Sequence, residues 1–251
     1  MHLRTVDIPT PDGTADAYAA CPEKDGTYPG VLLYMDIIGL RPVIRAMVTE
    51  LASHGYYVLA PNVFYRHGRA PVVEVPDLSR TEDREAFLGQ VFPMLESQTA
   101  EKTVRDAGAY LDFLAGQPQV RDGKAGVTGY CMGGMLALRT AAAYPDRVGA
   151  VGSFHAGHLV TEAPDSPHRV VARITAPLYL AHAENDASMT REDVTTLNKA
   201  LDEGGVDYTS EVYPGTVHGF TMADTAAFNP AALERHWDRL LSLFSETLQA
   251  G

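Results

Sequence analysis

Cysteine and basic residues are both scarce in this sequence. It has two cysteines among 251 residues, Cys21 and Cys131, too few for a disulfide framework in a chain of this length. We therefore expect both thiols to be reduced and the protein to be cytoplasmic. Lysine and arginine total 20 against 32 aspartates and glutamates, so the net charge is −12. This charge repels phosphate backbones and anionic lipid surfaces, which argues against nucleic acid and membrane partners.

Several recurring motifs are also absent. No apolar run approaches the roughly 18 residues of a membrane-spanning helix, and the N-terminus lacks the basic and apolar regions of a signal peptide. There is no Cys-x-x-Cys, and histidines such as His155 and His158 lack metal-like spacing with carboxylates. No Gly-x-Gly-x-x-Gly segment follows the first predicted strands, so nucleotide binding is not expected. We expect no metal and no cofactor.

The apolar segments alternate between strand and helix patterns, which predicts one α/β domain over residues 1–251. Continuous apolar runs are typical of strands buried on both faces of a mostly parallel sheet. We expect about eight strands with helices on both faces, and an irregular excursion with one or two short helices over residues 62–98. The predicted strands are Leu3–Ile8 and Ala15–Cys21 (an antiparallel hairpin), Gly30–Met35, Tyr56–Pro61, Ala125–Gly129, Val148–Phe154, Pro177–His182 and Tyr208–Tyr213. The predicted helices are Arg41–His54, Thr99–Ala115, Met132–Tyr144, Thr190–Glu203 and Pro230–Leu248.

The segment Gly129–Gly134 carries the strongest chemical motif. It has the pattern Gly-x-nucleophile-x-Gly between a strand and a helix, with Cys131 in the nucleophile position. Glycines are needed there because side chains beside a tight turn would collide with the neighbouring strand or helix. The turn also places the thiol at a helix N-terminus, whose positive dipole end favours thiolate. A thiol nucleophile suits esters, lactones and thioesters better than amides, because thiolate leaves more readily than an amine.

An acid and a histidine follow in the order that this kind of site requires. Asp186 comes just after a predicted strand, and Glu184 is a competing acid nearby. His218 lies in a loop after the last strand, beside a glycine that lets the loop turn the ring into the site. The order of nucleophile, acid and base predicts a Cys131, Asp186, His218 triad.

These segments resemble the dienelactone hydrolase family of α/β-hydrolases. The likeness lies in the Gly129–Gly134 turn, the Asn185-Asp186 pair, the segment Val217–Phe220 and the third strand with its following loop. The resemblance implies a Cys-Asp-His triad on the residues above. It also implies a carboxylic ester hydrolase of the carboxymethylenebutenolidase kind, acting on a small ester or lactone.

The resemblance also assigns roles around the triad. It implies an oxyanion hole made by the backbone N–H groups of Ile37 and Met132. The family tends to carry a glutamate beside the thiol, and this sequence has Asp36 there; we expect Asp36 to tune the protonation of Cys131.

Substrate preference is expected to differ from that of dienelactone-specific members. Those members resemble one another in gripping the substrate carboxylate with arginines, one of them four residues after the catalytic histidine, where this chain has Met222. Arg66 could supply the other charge. The expected pocket residues are Phe64, Arg66, Tyr130, Phe154, Phe220 and Met222.

Other functions stay open at this point. One is a small-molecule binding or sensing protein on the same fold. Another is a thiol redox protein using Cys131, and a third is an acyltransferase or peptidase relative. The sequence leaves monomer and homodimer equally open.

Overall fold

One eight-stranded sheet, in the order β1-β2-β4-β3-β5-β6-β7-β8, forms the centre of the fold. The computed structural model describes residues 1–78 and 80–249, and the other three positions of the predicted domain lie outside this part. β1 pairs antiparallel with β2 and β2 with β4, whereas the remaining neighbours pair in parallel. The strands are β1 (His2–Thr10), β2 (Gly13–Cys21), β3 (Gly30–Tyr34), β4 (Tyr57–Pro61), β5 (Ala125–Tyr130), β6 (Val148–Phe154), β7 (Leu178–Asn185) and β8 (Tyr208–Val217). The predicted hairpin and mostly parallel sheet are confirmed.

Helices cover both faces of this sheet. Val31 on β3 and Gly126 on β5 are register partners, so their Cα–H or Cβ directions lie on the same face of the sheet. Gly30 precedes Val31 on β3 and therefore faces the opposite side. A Cβ atom at Gly126 would meet the last helix, and one at Gly30 would meet Leu114 of the helix before β5. The helices are α1 (Pro42–Ser53), α2 (Thr81–Ser97), α3 (Ala100–Ala115), α4 (Met132–Ala143), α5 (Arg191–Gly204) and α6 (Pro230–Leu248). No helix in the described part of the chain has the length and apolar character needed to cross a bilayer.

Local sequence explains where several helices begin. Thr190 caps α5 through a capping box. Its hydroxyl accepts from the N–H of Asp193, and the Asp193 carboxylate accepts from the N–H of Thr190. Asn229 caps α6 more simply, with a side-chain oxygen that accepts from the N–H of Ala232, and Pro230 follows at the first helical position. The predicted helix Thr190–Glu203 is therefore confirmed as α5.

The segment between β4 and α3 differs from its prediction. In place of one or two short helices, it has a 3-10 turn at Tyr65–His67 and the 17-residue helix α2. Pro93 lies inside α2, where it removes one backbone hydrogen bond without ending the helix. Leu88, Phe92 and Leu95 recur at helical spacing and place an apolar stripe over the carboxyl ends of the strands.

Candidate active site

Cys131 occupies a tight turn between β5 and α4. Its φ of 55° and ψ of −119° are unusual for a residue with a side chain, and such a conformation persists only where the surroundings enforce it. A Cβ atom at Gly129 would lie 2.1 Å from the carbonyl oxygen of Gly133, and one at Gly133 would lie 2.4 Å from that of Tyr34. Only glycines permit this approach, which lifts Cys131 clear of the sheet.

Backbone hydrogen bonds fix the turn on both sides of the thiol. The N–H of Cys131 donates to the carbonyl of Phe154 at 3.0 Å, and the carbonyl of Cys131 accepts from the N–H of Gly134 at 3.1 Å. α4 begins at the next residue, Met132, so the sulfur lies at the end of the helix where free N–H groups and the dipole favour negative charge.

The pairing of β7 with β8 brings Asp186 and His218 together. Asn185 and Val217 are register partners at the carboxyl ends of these two parallel strands. Asp186 directly follows Asn185, and His218 directly follows Val217. Asp186 Oδ2 lies 2.7 Å from His218 Nδ1, and His218 Nε2 lies 2.9 Å from Cys131 Sγ. The three side chains thus form a continuous hydrogen-bonded chain.

The electrostatics of this hydrogen-bonded group favour a protonated imidazole at His218. Burial by itself lowers the pKa of His218, but hydrogen bonds to Asp186 and Cys131 outweigh it and raise that pKa to about 10. Burial likewise raises the pKa of Asp186, whereas bonds from His218 and Ser188 bring it below its ordinary value. At neutral pH both ring nitrogens of His218 therefore donate, one to the sulfur and one to the carboxylate.

Sequence reasoning missed Ser188. Its N–H and hydroxyl donate to Asp186 Oδ1 at 2.8 and 2.6 Å, and its hydroxyl lies 3.3 Å from His218 Nδ1. A serine two residues after the acid is the one sequence feature that could have indicated it, since such turns commonly bond back to an aspartate. The competing acid Glu184 is engaged elsewhere, where it accepts from the N–H of Gly215 at 2.8 Å.

The backbone N–H groups of Ile37 and Met132 belong to two residues that line the cavity around Cys131. In the turn after β3, the N–H of Ile38 donates to Asp36 Oδ1 at 3.1 Å and that of Gly39 to the Asp36 carbonyl at 3.1 Å. The N–H of Ile37 has no acceptor among the described residues, nor does that of Met132 at the start of α4. Both residues line the same cavity as Cys131. Two free donors beside a nucleophile can bind an oxyanion.

Asp36 does not reach the thiol, which contradicts the expected tuning role. Arg41 takes both of its carboxylate oxygens, with Nη1 to Oδ1 at 2.5 Å and Nη2 to Oδ2 at 2.9 Å. The short aspartate side chain is held by a buried guanidinium five residues along the chain. Cys131 Sγ has His218 as its hydrogen-bond partner instead.

A cavity of about 810 Å³ opens above the sulfur. Its walls combine the apolar stripe of α2 with residues from the loops after β3, β6, β7 and β8. The lining residues are Ile37, Leu88, Phe92, Leu95, Gln98, Cys131, Met132, Met135, Gly157, His158, Asn185, Asp186, Ala187, Ser188, Val217, His218, Ala226 and Ala227. The exposed surface of the cavity is mainly apolar, and its polar groups include His218, Asp186 and Ser188 beside Cys131.

Four aromatic residues predicted to line the pocket belong to the core instead. Phe64, Tyr130, Phe154 and Phe220 are each at most 3% exposed, and none lines the cavity. Tyr130 shows the reason: its side chain lies under α6, where its hydroxyl is 3.0 Å from His236 Nε2. Neighbouring positions at a strand end face opposite sides, so a residue next to Cys131 in sequence is not next to it in space.

Arg66 and Met222 are also absent from the cavity. Arg66 forms ion pairs with Asp106 at 2.7 Å and with Asp12 at 2.8 Å, which engage its guanidinium, and it does not line the cavity. Met222 is 1% exposed and packs in the core. Neither residue contacts the space above Cys131, so both predicted pocket roles are corrected.

The two histidines after β6 do not form a metal site. His155 is fully buried with Nε2 at 2.7 Å from Thr221 Oγ1, whereas His158 is exposed at the cavity. Across residues 1–78 and 80–249, no group of three or more His, Cys, Asp or Glu side chains is arranged to hold a metal ion.

The mostly parallel eight-stranded sheet and the turn after its fifth strand define this protein as an α/β-hydrolase. The chain belongs to the dienelactone hydrolase family, whose model matches residues 15–248.

Comparison with individual proteins agrees with this placement. A Methylorubrum extorquens protein named "Putative carboxymethylenebutenolidase" is 25% identical over 245 residues, which cover 96% of this chain and 80% of the relative. A Bradyrhizobium protein named "Probable 2-oxo-3-(5-oxofuran-2-ylidene)propanoate lactonase" is 27% identical over 238 residues, covering 94% of this chain and 91% of the relative. The crystal structure of a "Putative Dienelactone Hydrolase" from Klebsiella pneumoniae superposes with a TM-score of 0.85 at 22% identity over 98% of both chains, which shows the shared fold.

Proposed function

We propose that this protein hydrolyses small carboxylic esters or lactones through a covalent thioester on Cys131. The observation that carries the proposal is the hydrogen-bonded chain from Cys131 through His218 to Asp186, open to an apolar cavity. The names of the family relatives, which refer to lactone-cleaving enzymes, support the same reaction class.

The geometry supports a two-step acyl transfer. The Cys131 thiolate attacks the carbonyl carbon, and the N–H groups of Ile37 and Met132 hold the resulting oxyanion. As the intermediate collapses, the C–O bond breaks and the His218 imidazolium protonates the leaving alkoxide. Water then attacks the thioester while His218 takes its proton, and the acid product leaves as the thiol group regains its resting state. Asp186 orients the imidazole and stabilises its charge throughout.

The cavity supports a weakly charged or bulky substrate over a strict dienelactone. Among the lining side chains that the structure describes, none belongs to a lysine or an arginine, and Phe92 and Leu95 contribute apolar surface. Met222 stands where dienelactone-specific relatives resemble one another in having an arginine, and it lies in the core. Both cysteines are free, which fits the proposed cytoplasmic location.

The direct test is hydrolysis of p-nitrophenyl acetate and of a small lactone across pH by the wild type, Cys131→Ala and Cys21→Ala. Cys21 is a matched control because it is a buried thiol in the N-terminal hairpin. We expect turnover by the wild type and Cys21→Ala, loss with Cys131→Ala, and an acyl adduct on Cys131 by mass spectrometry after rapid quenching. Full activity in Cys131→Ala would refute the proposal. Tight ligand binding without turnover would favour a binding protein, and amide turnover a peptidase.

A further inference from the structure

Arg41 connects two loops of the site through a buried guanidinium. Its side chain is 4% exposed, and each of its five N–H donors has an acceptor. Two go to the carboxylate of Asp36, one goes to the carbonyl of Gly39 at 3.2 Å, and two go to the carboxylate of Asp224. Nε lies 2.6 Å and Nη2 3.1 Å from Asp224. The planar guanidinium of arginine can bind two carboxylates at once in this way, whereas the compact ammonium of lysine cannot.

The two ends of this bridge belong to different parts of the site. Asp36 and Gly39 are the first and last residues of the turn that presents Ile37. Asp224 lies six residues after His218, in the loop whose Ala226 and Ala227 line the cavity. The bridge therefore fixes the distance between the turn carrying one oxyanion donor and the loop that follows the base.

The free donor in this turn depends on the bridge. The N–H groups of Ile38 and Gly39 are both occupied by Asp36, through its side chain and its carbonyl. The N–H of Ile37 is left without an acceptor among the described residues, and the turn is held in this form because Arg41 binds both Asp36 and Gly39. Although burial disfavours the charged guanidinium, the Asp36 and Asp224 carboxylates raise the pKa of Arg41 above its ordinary value, so the ion pairs persist.

We propose that Arg41, with Asp36 and Asp224, is a positioning device that aims the Ile37 N–H at the oxyanion formed above Cys131. The proposal rests on the proposed esterase function. It assigns Arg41 a role in acyl transfer through the backbone of Ile37, without contact to the substrate. Its loss should impair the step that builds negative charge on oxygen and leave the reactivity of the thiol unchanged.

Two reactions of Cys131 separate these effects. Ester hydrolysis needs the oxyanion hole, whereas alkylation by iodoacetamide is a displacement at carbon that forms no oxyanion and reports the thiol and His218 alone. The variants are Arg41→Lys, which keeps the charge but loses the fork, and Asp224→Asn, whose side chain is 37% exposed and so tolerates change. Arg147→Lys is the matched control, because Arg147 forms a 2.8 Å ion pair with the exposed Asp112 away from the cavity.

We expect Arg41→Lys and Asp224→Asn to lower kcat for p-nitrophenyl acetate about tenfold, with KM and the alkylation rate within about twofold of the wild type. The control should match the wild type in all three. Unchanged kcat in folded Asp224→Asn, or equal losses of hydrolysis and alkylation, would overturn the positioning role while leaving the esterase proposal intact. A wild type no more active than Cys131→Ala would instead overturn the esterase proposal itself.

Discussion

The ring of His155 meets the ring of His218 edge to face, with centroids 5.5 Å apart. His155 is fully buried and has a positive φ of 38°, and its Nε2 lies 2.7 Å from Thr221 Oγ1 in the loop after His218. Burial, followed by the nearby charges of His218 and His236, holds the pKa of His155 well below its ordinary value. The neutral ring of His155 thus packs against the protonated His218 without repelling it. Its bond to Thr221 also connects the loop after His218 to the end of β6.

Replacing His155 tests whether this contact positions the base. His155→Phe keeps a ring of similar shape but loses the bond to Thr221, and we expect kcat for esters to fall about fivefold, since a buried hydrogen bond contributes about 1 kcal/mol. Thr221→Val removes the same bond from the other side and should have the same effect. The double variant should be no worse than either single variant. Losses that simply multiply would show that the two residues act separately.

Asp186 and Glu184 form a natural pair for testing which acid orients the base. Asp186→Asn removes a carboxylate that raises the pKa of His218, so the pH at which activity declines on the alkaline side should move downward from about 10. We expect kcat/KM at neutral pH to fall about a hundredfold. Glu184→Gln alters a carboxylate that bonds to Gly215 and should stay within about twofold of the wild type. pH–rate profiles of both variants give the answer, and a larger loss in Glu184→Gln would reverse the assignment.

The same glycine-to-alanine substitution should have opposite effects on stability at Gly133, beside Cys131, and at Gly89 in α2. Gly133→Ala would put a Cβ atom 2.4 Å from the carbonyl oxygen of Tyr34 and 2.5 Å from that of Met35, so the backbone must shift. We expect a loss of about 3 kcal/mol in the free energy of unfolding. Gly89 lies in α2 with nothing within 4 Å of such a Cβ atom, and Gly89→Ala should stabilise by about 1 kcal/mol. Urea unfolding compares them, and equal effects would contradict this account.

His182 should make the protein lose stability in acid. It is 2% exposed, and burial lowers its pKa to about 4, whereas an unfolded histidine has a pKa of about 6.5. Between these values the unfolded state binds the extra proton, so the free energy of unfolding falls as the pH is lowered, by roughly 1.4 kcal/mol per pH unit.

The variant His182→Leu removes the contribution of His182 to this decline, whereas the contribution of the buried His155 remains. Neither ring nitrogen of His182 finds a hydrogen-bond partner among the described residues, so leucine should also raise stability at pH 7 by about 1 kcal/mol. The measurement is urea unfolding at pH 7, 6 and 5, in which the wild type should show the steeper decline. Parallel curves would mean that His182 takes up its proton in the folded protein.

The sequence predicted the alternation of strands and helices in a mostly parallel sheet, and it placed Asp186 and His218 just after strands, because both features follow from local patterns. Buried strands are continuous apolar runs, and residues directly after parallel strands meet at one edge, as Asp186 and His218 do. The role of Asp36 could not be predicted in this way. Its carboxylate is held by Arg41, which is also fixed by Asp224 from the other end of the chain, and only the folded structure brings these residues together.

The pocket walls were missed for a related reason. The aromatic residue next to Cys131 in the sequence, Tyr130, faces the opposite side of the sheet from Cys131. The true apolar walls come from α2, where Pro93 and a weak periodic pattern conceal a long helix. Arg66 does not line the pocket either, because its guanidinium forms an ion pair with Asp106, which lies forty positions later in the sequence.

The α2 wall has a consequence for how this catalyst could diversify. Leu88, Phe92 and Leu95 stand on a segment inserted between β4 and α3, whereas the reacting groups stand on loops at the strand ends. Selection, or a protein engineer, can therefore exchange the side chains of this helix without disturbing the bond-breaking machinery. Libraries randomised at these three positions should yield enzymes that differ in the size and polarity of the acyl groups they accept.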